Sequence, residues 1–147
     1  MDVLPTLVTI CNANMPMKKI DGVNFRSVLM GDVNANPRDE FAYYYDKNNL
    51  KAIRKGNWKL VFAATSQTYN SPATIGGDRY PGKYGNMLVP LSLYDLATDP
   101  GEDRDLKAKY PVVVKQLDKI ADKYRNTIGD GLTKTEGSEV RPAGVVN

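Results

Sequence analysis

The sequence predicts an α+β fold, in which a four-stranded antiparallel sheet packs against a long C-terminal helix and short N-terminal helices precede the sheet. Two observations carry this prediction. Residues 41–64 hold three apolar runs that are separated by short turns, and short turns make neighbouring strands pair antiparallel. After Pro111, apolar residues recur every three or four positions, which is the spacing of one helical face. The 147-residue length suits a single domain with a sizeable core.

A short amphipathic helix is predicted over residues 2–13, within a helical N-terminal segment, 1–36. Apolar residues from Leu4 to Cys11 fall at i, i+3, i+4 and i+7, which places them on one helical face. Cys11 is interpreted as a buried, unreactive thiol on that face. Because an apolar helix so close to Met1 needs a surface to pack on, we expect further sequence upstream in the full protein.

A second short helix is expected over residues 25–31, where Asn24 can cap the first turn. An Asp-Gly pair before it signals a turn between the two helices. Phe25, Val28 and Leu29 are predicted to face inward.

Four strands are predicted within the sheet segment, residues 37–96. Their expected bounds are 41–46, 50–55, 58–64 and 91–96. The first and third alternate between apolar and other residues, as strands with one packed face do. A long connection without periodicity, residues 65–90, separates the last two strands. Connections of that length in a compact domain are usually functional or disordered.

The last helix is predicted to begin at Pro111 and to end before Gly129, because Pro suits the first helical position and Gly ends helices. The turn and helix together span residues 97–129, and residues 130–147 are expected to form an irregular tail. The inward positions of the helix are Val114, Leu117, Ile120 or Ala121, Tyr124 and Ile128.

The composition excludes several classes of function. The chain has no His, so it holds neither a Ser-His-Asp triad nor a His-based zinc site. Its single Cys excludes an intrachain disulfide and a multi-Cys metal cluster. A net charge of +3 without a basic, aromatic-rich run argues against nucleic acid as a partner. No apolar run approaches the ~20 residues that cross a bilayer, and the first residues lack the basic start of a signal peptide.

Two charged groups of residues have alternative interpretations. The acidic cluster consists of Asp99, Glu102, Asp103 and Asp105. Its spacing does not match a calcium-binding loop, and turn and helix-start electrostatics explain it more simply than a cation site does. The basic hairpin consists of Lys51, Arg54, Lys55 and Lys59. It suits an anionic ligand, although a solvated sheet face explains the same charges.

Five parts of the chain, taken together and in order, resemble the C-terminal part of type I sulfatases. They are DVLPTL (2–7), KKIDGVNFRSVLMGD (18–32), the pair PRDEFAYYY (37–45) and AIRKGNWKLVF (52–62), LYDLATDPGEDRDL (93–106) and GDGLTKTEGSEVRPAG (129–144). The first is similar to that family's Pro-Thr helix start, and the fourth to its Leu-Tyr-Asp-Leu strand and Asp-Pro-Gly-Glu turn. The last is similar to the tail of arylsulfatase A-like bacterial members.

The resemblance implies a fragment of a larger enzyme of alkaline-phosphatase-like fold that hydrolyses aryl or carbohydrate sulfate esters. The family's nucleophile is a formylglycine made from Cys or Ser in a Cys/Ser-x-Pro-x-Arg motif. Cys11 is followed by Asn-Ala-Asn-Met, and no Ser meets the motif, so we predict no catalytic residue here. The resemblance places the family's calcium ligands upstream of this part, which implies no metal-binding residue here either. Formylglycine, calcium and an N-terminal catalytic domain are expected in the full-length parent, and the fragment is expected to be inactive alone. The family also implies a periplasmic or secreted parent.

The long connection offers the candidate substrate-binding residues. Stacking and cationic side chains suited to an aryl or sugar sulfate recur in it. These residues are Tyr69, Arg79, Tyr80, Lys83 and Tyr84. A plain surface loop is the alternative for this segment. For the whole chain, the alternatives are a non-enzymatic module that binds an anionic sugar or a protein, and a purely structural interaction domain. Apolar surface left by an absent catalytic domain also predicts a homo-oligomer of the fragment.

Overall fold

The computed structural model describes residues 1–68 and 84–140, and it confirms the predicted α+β architecture. The chain divides into two compact units, Met1–Asp39 and Glu40–Asn147. The first unit is helical, whereas the second holds the sheets and the long helix, and each is described by itself.

The first unit contains two short helices, α1 (Val3–Ile10) and α2 (Arg26–Leu29). Asp2 precedes α1 without capping it through its side chain. Its Oδ1 instead accepts hydrogen bonds from the Val23 N–H at 2.9 Å and from the Arg38 guanidinium at 2.6 Å. The Val23 N–H, followed by Arg38, lowers the pKa of the Asp2 carboxyl. Asp2 therefore joins three separate parts of this unit.

The apolar face of α1 is exposed, so the predicted burial of Cys11 is wrong. Leu4 and Leu7 are 48% and 52% exposed, and Cys11 is an exposed free thiol. Pro5 and Thr6 are the buried residues of this helix. The periodicity correctly located the apolar face, but the prediction assumed that this face packs within the chain.

Two of the three residues predicted to face inward from the second helix are exposed, whereas Phe25 is half-buried. Val28 and Leu29 are 47% and 60% exposed. Asn24 accepts a hydrogen bond from the Arg26 N–H at 2.8 Å, one residue before the cap position, which Phe25 occupies. A four-residue helix makes little more than one turn, so it has no long face to bury.

The second unit is built on a four-stranded antiparallel sheet and two small hairpins. Its strands are β1 (Glu40–Tyr45), β2 (Asn49–Lys55), β3 (Trp58–Val61), β4 (Ala64–Thr68), β5 (Gly85–Val89), β6 (Ser92–Asp95), β7 (Gly129–Asp130) and β8 (Thr135–Glu136). The main sheet has the order β1-β2-β3-β6. The predicted third strand, 58–64, is divided in the structure, since β3 ends at Val61 and β4 begins at Ala64.

One row of side chains across the main sheet forms the centre of the core. Ala42 lies opposite Ile53, which in turn lies opposite Leu60, and Leu60 lies opposite Leu93. The last three residues of this row are fully buried. Burial of each such side chain contributes about 1.5–3 kcal/mol, so this row fixes the register of all four strands.

The long helix α3 spans Pro111–Ile128, as the sequence predicts, and Gly129 follows its last residue. Leu117 and Ala121 are buried in the same core cluster as the sheet row. Ile128, which is predicted to face inward, is 43% exposed. The packed face of the helix therefore ends before its last turn.

The tail was predicted to be irregular from residue 130, and this is wrong at its start, because β7 and β8 pair directly after α3. Tyr44 secures this junction by donating its hydroxyl hydrogen to the Gly129 carbonyl at 2.9 Å. Burial is the main cause that raises the pKa of Tyr44 to about 12. The junction joins the C-terminal end of α3 to the main sheet.

Candidate functional site

The two ends of the predicted connection 65–90 form a β-hairpin stem. β4 and β5 pair antiparallel, and Thr68 lies opposite Gly85. The sequence showed no strand here because β4, Ala-Thr-Ser-Gln-Thr, lacks an apolar alternation. The predicted connection is therefore not free of secondary structure in its described parts.

Four of the five predicted substrate-binding residues, Tyr69, Arg79, Tyr80 and Lys83, lie outside the described residues. Tyr84 is described, and its side chain is 47% exposed next to β5. Their grouping into one binding surface stays a prediction.

A polar recess of about 240 Å³ lies in the second unit beside the hairpin stem. Its walls are the end of β1, the turn after it, β2, β4 and β5. The residues that line this hairpin recess are Tyr45, Asp46, Lys51, Thr65, Ser66, Gln67 and Asn86. The sequence predicted none of these residues as part of a binding site, although Lys51 belongs to the basic hairpin that suits an anionic ligand.

A β-bulge sets the position of Lys51 in this recess. Tyr43 lies opposite Ala52, whereas the next residue of β1 lies opposite Leu50. Lys51 is thus left without a partner on β1, and such an extra residue bends a strand and redirects its side chain. The Lys51 ammonium donates a hydrogen bond to the Thr65 carbonyl at 2.8 Å, which ties β2 to the hairpin stem.

The basic hairpin is not a uniform charged surface. Two of its lysines form ion pairs, which are Lys55–Glu40 at 2.9 Å and Lys59–Glu102 at 2.5 Å. Lys51 forms no ion pair with a carboxylate in the part of the chain that the structure describes, and its single hydrogen bond there leaves two N–H groups for other acceptors. Arg54 likewise has no ion pair with a described residue, but its Nε–H donates to the Gly56 carbonyl at 2.8 Å and it does not line the recess. Lys51 is therefore the member of the group that brings an unpaired charge to the recess.

The other side chains of the hairpin recess are hydroxyls, amides and one aromatic ring. The Tyr45 hydroxyl donates to Gln67 Oε1 at 3.4 Å, and Gln67 lies opposite Asn86 in the stem. The turn that carries Asp46 has two residues in the left-handed region, Asp46 at φ 53° and Lys47 at φ 68°. Such backbone conformations cost energy in residues other than glycine and are often found near binding sites.

The acidic cluster belongs to a turn. Asp99 is buried and accepts hydrogen bonds from the N–H groups of Arg104 at 2.9 Å and Asp103 at 3.2 Å. These two N–H groups, Arg104 first, hold the pKa of the Asp99 carboxyl below its usual value. Asp105 likewise accepts the Leu93 N–H at 3.0 Å. Among residues 1–68 and 84–140, no group of three or more His, Cys, Asp or Glu residues is arranged to hold a metal ion.

Comparison with known proteins identifies the family. The family model for the C-terminal region of aryl-sulfatase matches residues 37–144. The chain belongs to this sulfatase family. The match confirms the resemblance found in the sequence, and the fold agrees with it.

The curated relatives are longer sulfatases. Bovine arylsulfatase A is 29% identical over 110 residues, which cover 72% of this chain and 21% of that protein. Mouse steryl-sulfatase is 31% identical over 139 residues, which cover 85% of this chain and 22% of that protein. The chain thus spans about a fifth of the length of these relatives.

A solved structure from Bacteroides thetaiotaomicron has the same fold over most of the chain. It comes from a core genetic locus for the metabolism of multiple glycosaminoglycans. The TM-score is 0.57 at 22% identity, with 84% of this chain and 24% of that chain covered. In the described part of the present chain, no helix is long and apolar enough to cross a membrane.

Proposed function

We propose that this chain is the C-terminal region of a sulfatase that acts on aryl or carbohydrate sulfate esters, and that it shapes the substrate cleft while an N-terminal domain catalyses the reaction. The match of the aryl-sulfatase C-terminal family to residues 37–144 carries this proposal. The relatives reported above, arylsulfatase A and steryl-sulfatase, are both sulfatases by name.

The residues present do not fit the formylglycine or the calcium that the family resemblance implies for the parent. Cleavage of a sulfate ester needs an activated nucleophile and groups that neutralise charge at the sulfate. The chain has no Cys/Ser-x-Pro-x-Arg sequence, and its described carboxylates do not gather into a three-ligand site. We assign both groups to the N-terminal domain and expect this chain to be inactive alone.

The proposed cleft-shaping role rests on the residue types in the connection 65–90. Loops on a rigid scaffold commonly carry specificity, and the described strands β4 and β5 pair from Ala64–Val89 to Thr68–Gly85. Arg79 and Lys83 supply charges suited to sulfate, and the tyrosines Tyr69, Tyr80 and Tyr84 supply rings for stacking. Because bacterial members of the family are commonly exported, the proposal includes a periplasmic or secreted parent.

The inactivity of the chain is tested with purified protein and nitrophenyl sulfate. We expect no hydrolysis above a blank that contains heat-denatured protein. Sequencing upstream of the codon for Met1 is the complementary test, and we expect a Cys/Ser-x-Pro-x-Arg motif there. Turnover by this chain, or an upstream sequence without the motif, would contradict the proposal.

A non-enzymatic module that binds an anionic sugar is the second candidate, and the polar hairpin recess is compatible with it. Both candidates allow the chain to bind a saccharide. They differ in whether the complete gene product hydrolyses sulfate esters, so the upstream motif separates them.

A further inference from the structure

We propose that the hairpin recess is a binding site for one ring of an anionic saccharide, with the Lys51 ammonium bound to the anionic substituent. That the ligand is polar and anionic is inferred from the residues that line the recess. The choice of a saccharide as the ligand rests on the proposed function.

The Lys51 ammonium is preorganised to bind an anion. Its hydrogen bond to the Thr65 carbonyl holds the ammonium at the recess, so less side-chain entropy remains to be lost on binding. The remaining N–H groups can make charge-assisted hydrogen bonds, which are stronger than neutral ones. No ion pair with another described residue has to be broken first.

The stem supplies the groups that recognise ring hydroxyls. Gln67 and Asn86 are cross-strand neighbours, and each amide can both donate and accept a hydrogen bond. The Tyr45 ring is 59% exposed and offers an apolar surface to the C–H face of a sugar, while its hydroxyl is held by Gln67.

Asp46 distinguishes a saccharide from a simple anion. The Asp46 carboxylate repels any anion, so inorganic sulfate gains only the contact with Lys51. A sugar can also donate a hydroxyl hydrogen bond to Asp46 while its charged substituent binds Lys51. The volume of about 240 Å³ lies below the ~300–1,000 Å³ of sites for drug-sized ligands. It therefore suits a single ring.

The test is a titration of the purified chain, followed by heteronuclear NMR. The ligands are galactose 6-sulfate, glucuronate, unmodified galactose and inorganic sulfate. We expect galactose 6-sulfate to shift the amide signals of Lys51, Gln67 and Asn86, with a dissociation constant in the millimolar range. Galactose and inorganic sulfate are expected to bind more weakly. If glucuronate shifts the same amide signals to a similar extent, the site also accepts a carboxylate as the anionic substituent. If glucuronate causes no shifts, the site is restricted to sulfate.

Variants test the assigned roles. Lys51→Gln is expected to weaken binding of galactose 6-sulfate about tenfold, which corresponds to ~1.4 kcal/mol, and Lys51→Arg to retain it. Lys55→Gln is the matched control, because Lys55 lies on the same strand and is paired with Glu40, and it should bind as the wild type does. Asn86→Ala should weaken galactose and galactose 6-sulfate alike.

Three results would overturn the proposal: no shifts at the recess residues, equal affinity for inorganic sulfate and galactose 6-sulfate, or an equal loss in Lys51→Gln and Lys55→Gln. A failure here leaves the sulfatase assignment intact, because the upstream motif and the hydrolysis assay test that assignment separately.

Discussion

Asp130 is the residue whose removal should most damage the junction between α3 and the main sheet. Its side chain is almost fully buried. Oδ1 accepts the N–H groups of Leu50 at 3.0 Å and Leu132 at 2.9 Å, and Oδ2 accepts the Thr133 hydroxyl at 3.1 Å. Arg125 lies 3.4 Å from Oδ2. One carboxylate thus joins the start of β2 to the end of the helix.

Asp130→Ala is expected to lower the free energy of unfolding by about 3 kcal/mol. A buried donor that loses its acceptor costs about 1–3 kcal/mol. The Leu50 N–H lies in a fully buried residue, so it carries most of this cost, and Thr133 adds to it. Arg125 keeps its ion pairs with Asp118 and Asp122, so the change does not leave an unpaired charge.

Urea unfolding of the wild type and the variants, followed by circular dichroism, measures this effect. Asp130→Asn should lose less than Asp130→Ala, because its carbonyl oxygen can still accept both N–H groups. Asp118→Ala is the control, since it removes an exposed partner of the same Arg125, and such surface pairs contribute about 0–1 kcal/mol. Equal losses in Asp130→Ala and Asp118→Ala, or no loss in either, would refute the reasoning.

Three further predictions concern pH and association. The pKa of the Asp99 carboxyl is lowered in the folded chain, so the stability that this carboxylate provides is present at neutral pH and is lost as the pH falls through the folded-state pKa. The free energy of unfolding should therefore depend less on pH in the acid range in Asp99→Asn than in the wild type. An unchanged pH dependence would count against this. The pKa of Tyr44 rises from 10.0 to about 12 on folding, so the stability that the protonated hydroxyl provides is complete below pH 10.0 and is lost as the pH rises through about 12. At about pH 11, folded Tyr44→Phe should show nearly the same tyrosinate absorbance as folded wild type, whereas the unfolded variant should show one tyrosinate fewer than the unfolded wild type. A folded variant that also lacks one tyrosinate would contradict the raised pKa. The exposed apolar face of α1 should make the chain self-associate. Light scattering should show smaller particles for Leu7→Lys than for the wild type. A wild type that is monomeric at high concentration would contradict the prediction.

The main sheet and the long helix could be predicted because local signals determine them. Short turns leave β1, β2 and β3 few ways to pair other than as neighbours. Pro111 and Gly129 mark the ends of α3 through backbone chemistry that does not depend on the rest of the chain.

Burial and the candidate site could not be predicted in the same way. The α1 pattern identified an apolar face, but a periodic pattern does not reveal what covers that face, and Cys11 is exposed. The β4 residues after Ala64 are polar and gave no strand signal. The bulge that places Lys51 at the recess arises from the register between two strands, which is a tertiary property.

The central claim is that this chain serves a sulfatase without carrying its reactive centre. It is tested most directly by comparing the rate of nitrophenyl sulfate hydrolysis by this chain with the rate by the complete polypeptide that the gene encodes. We predict turnover by the complete polypeptide and none by the 147-residue chain. Equal rates, or a complete polypeptide that cleaves no sulfate ester, would contradict the claim.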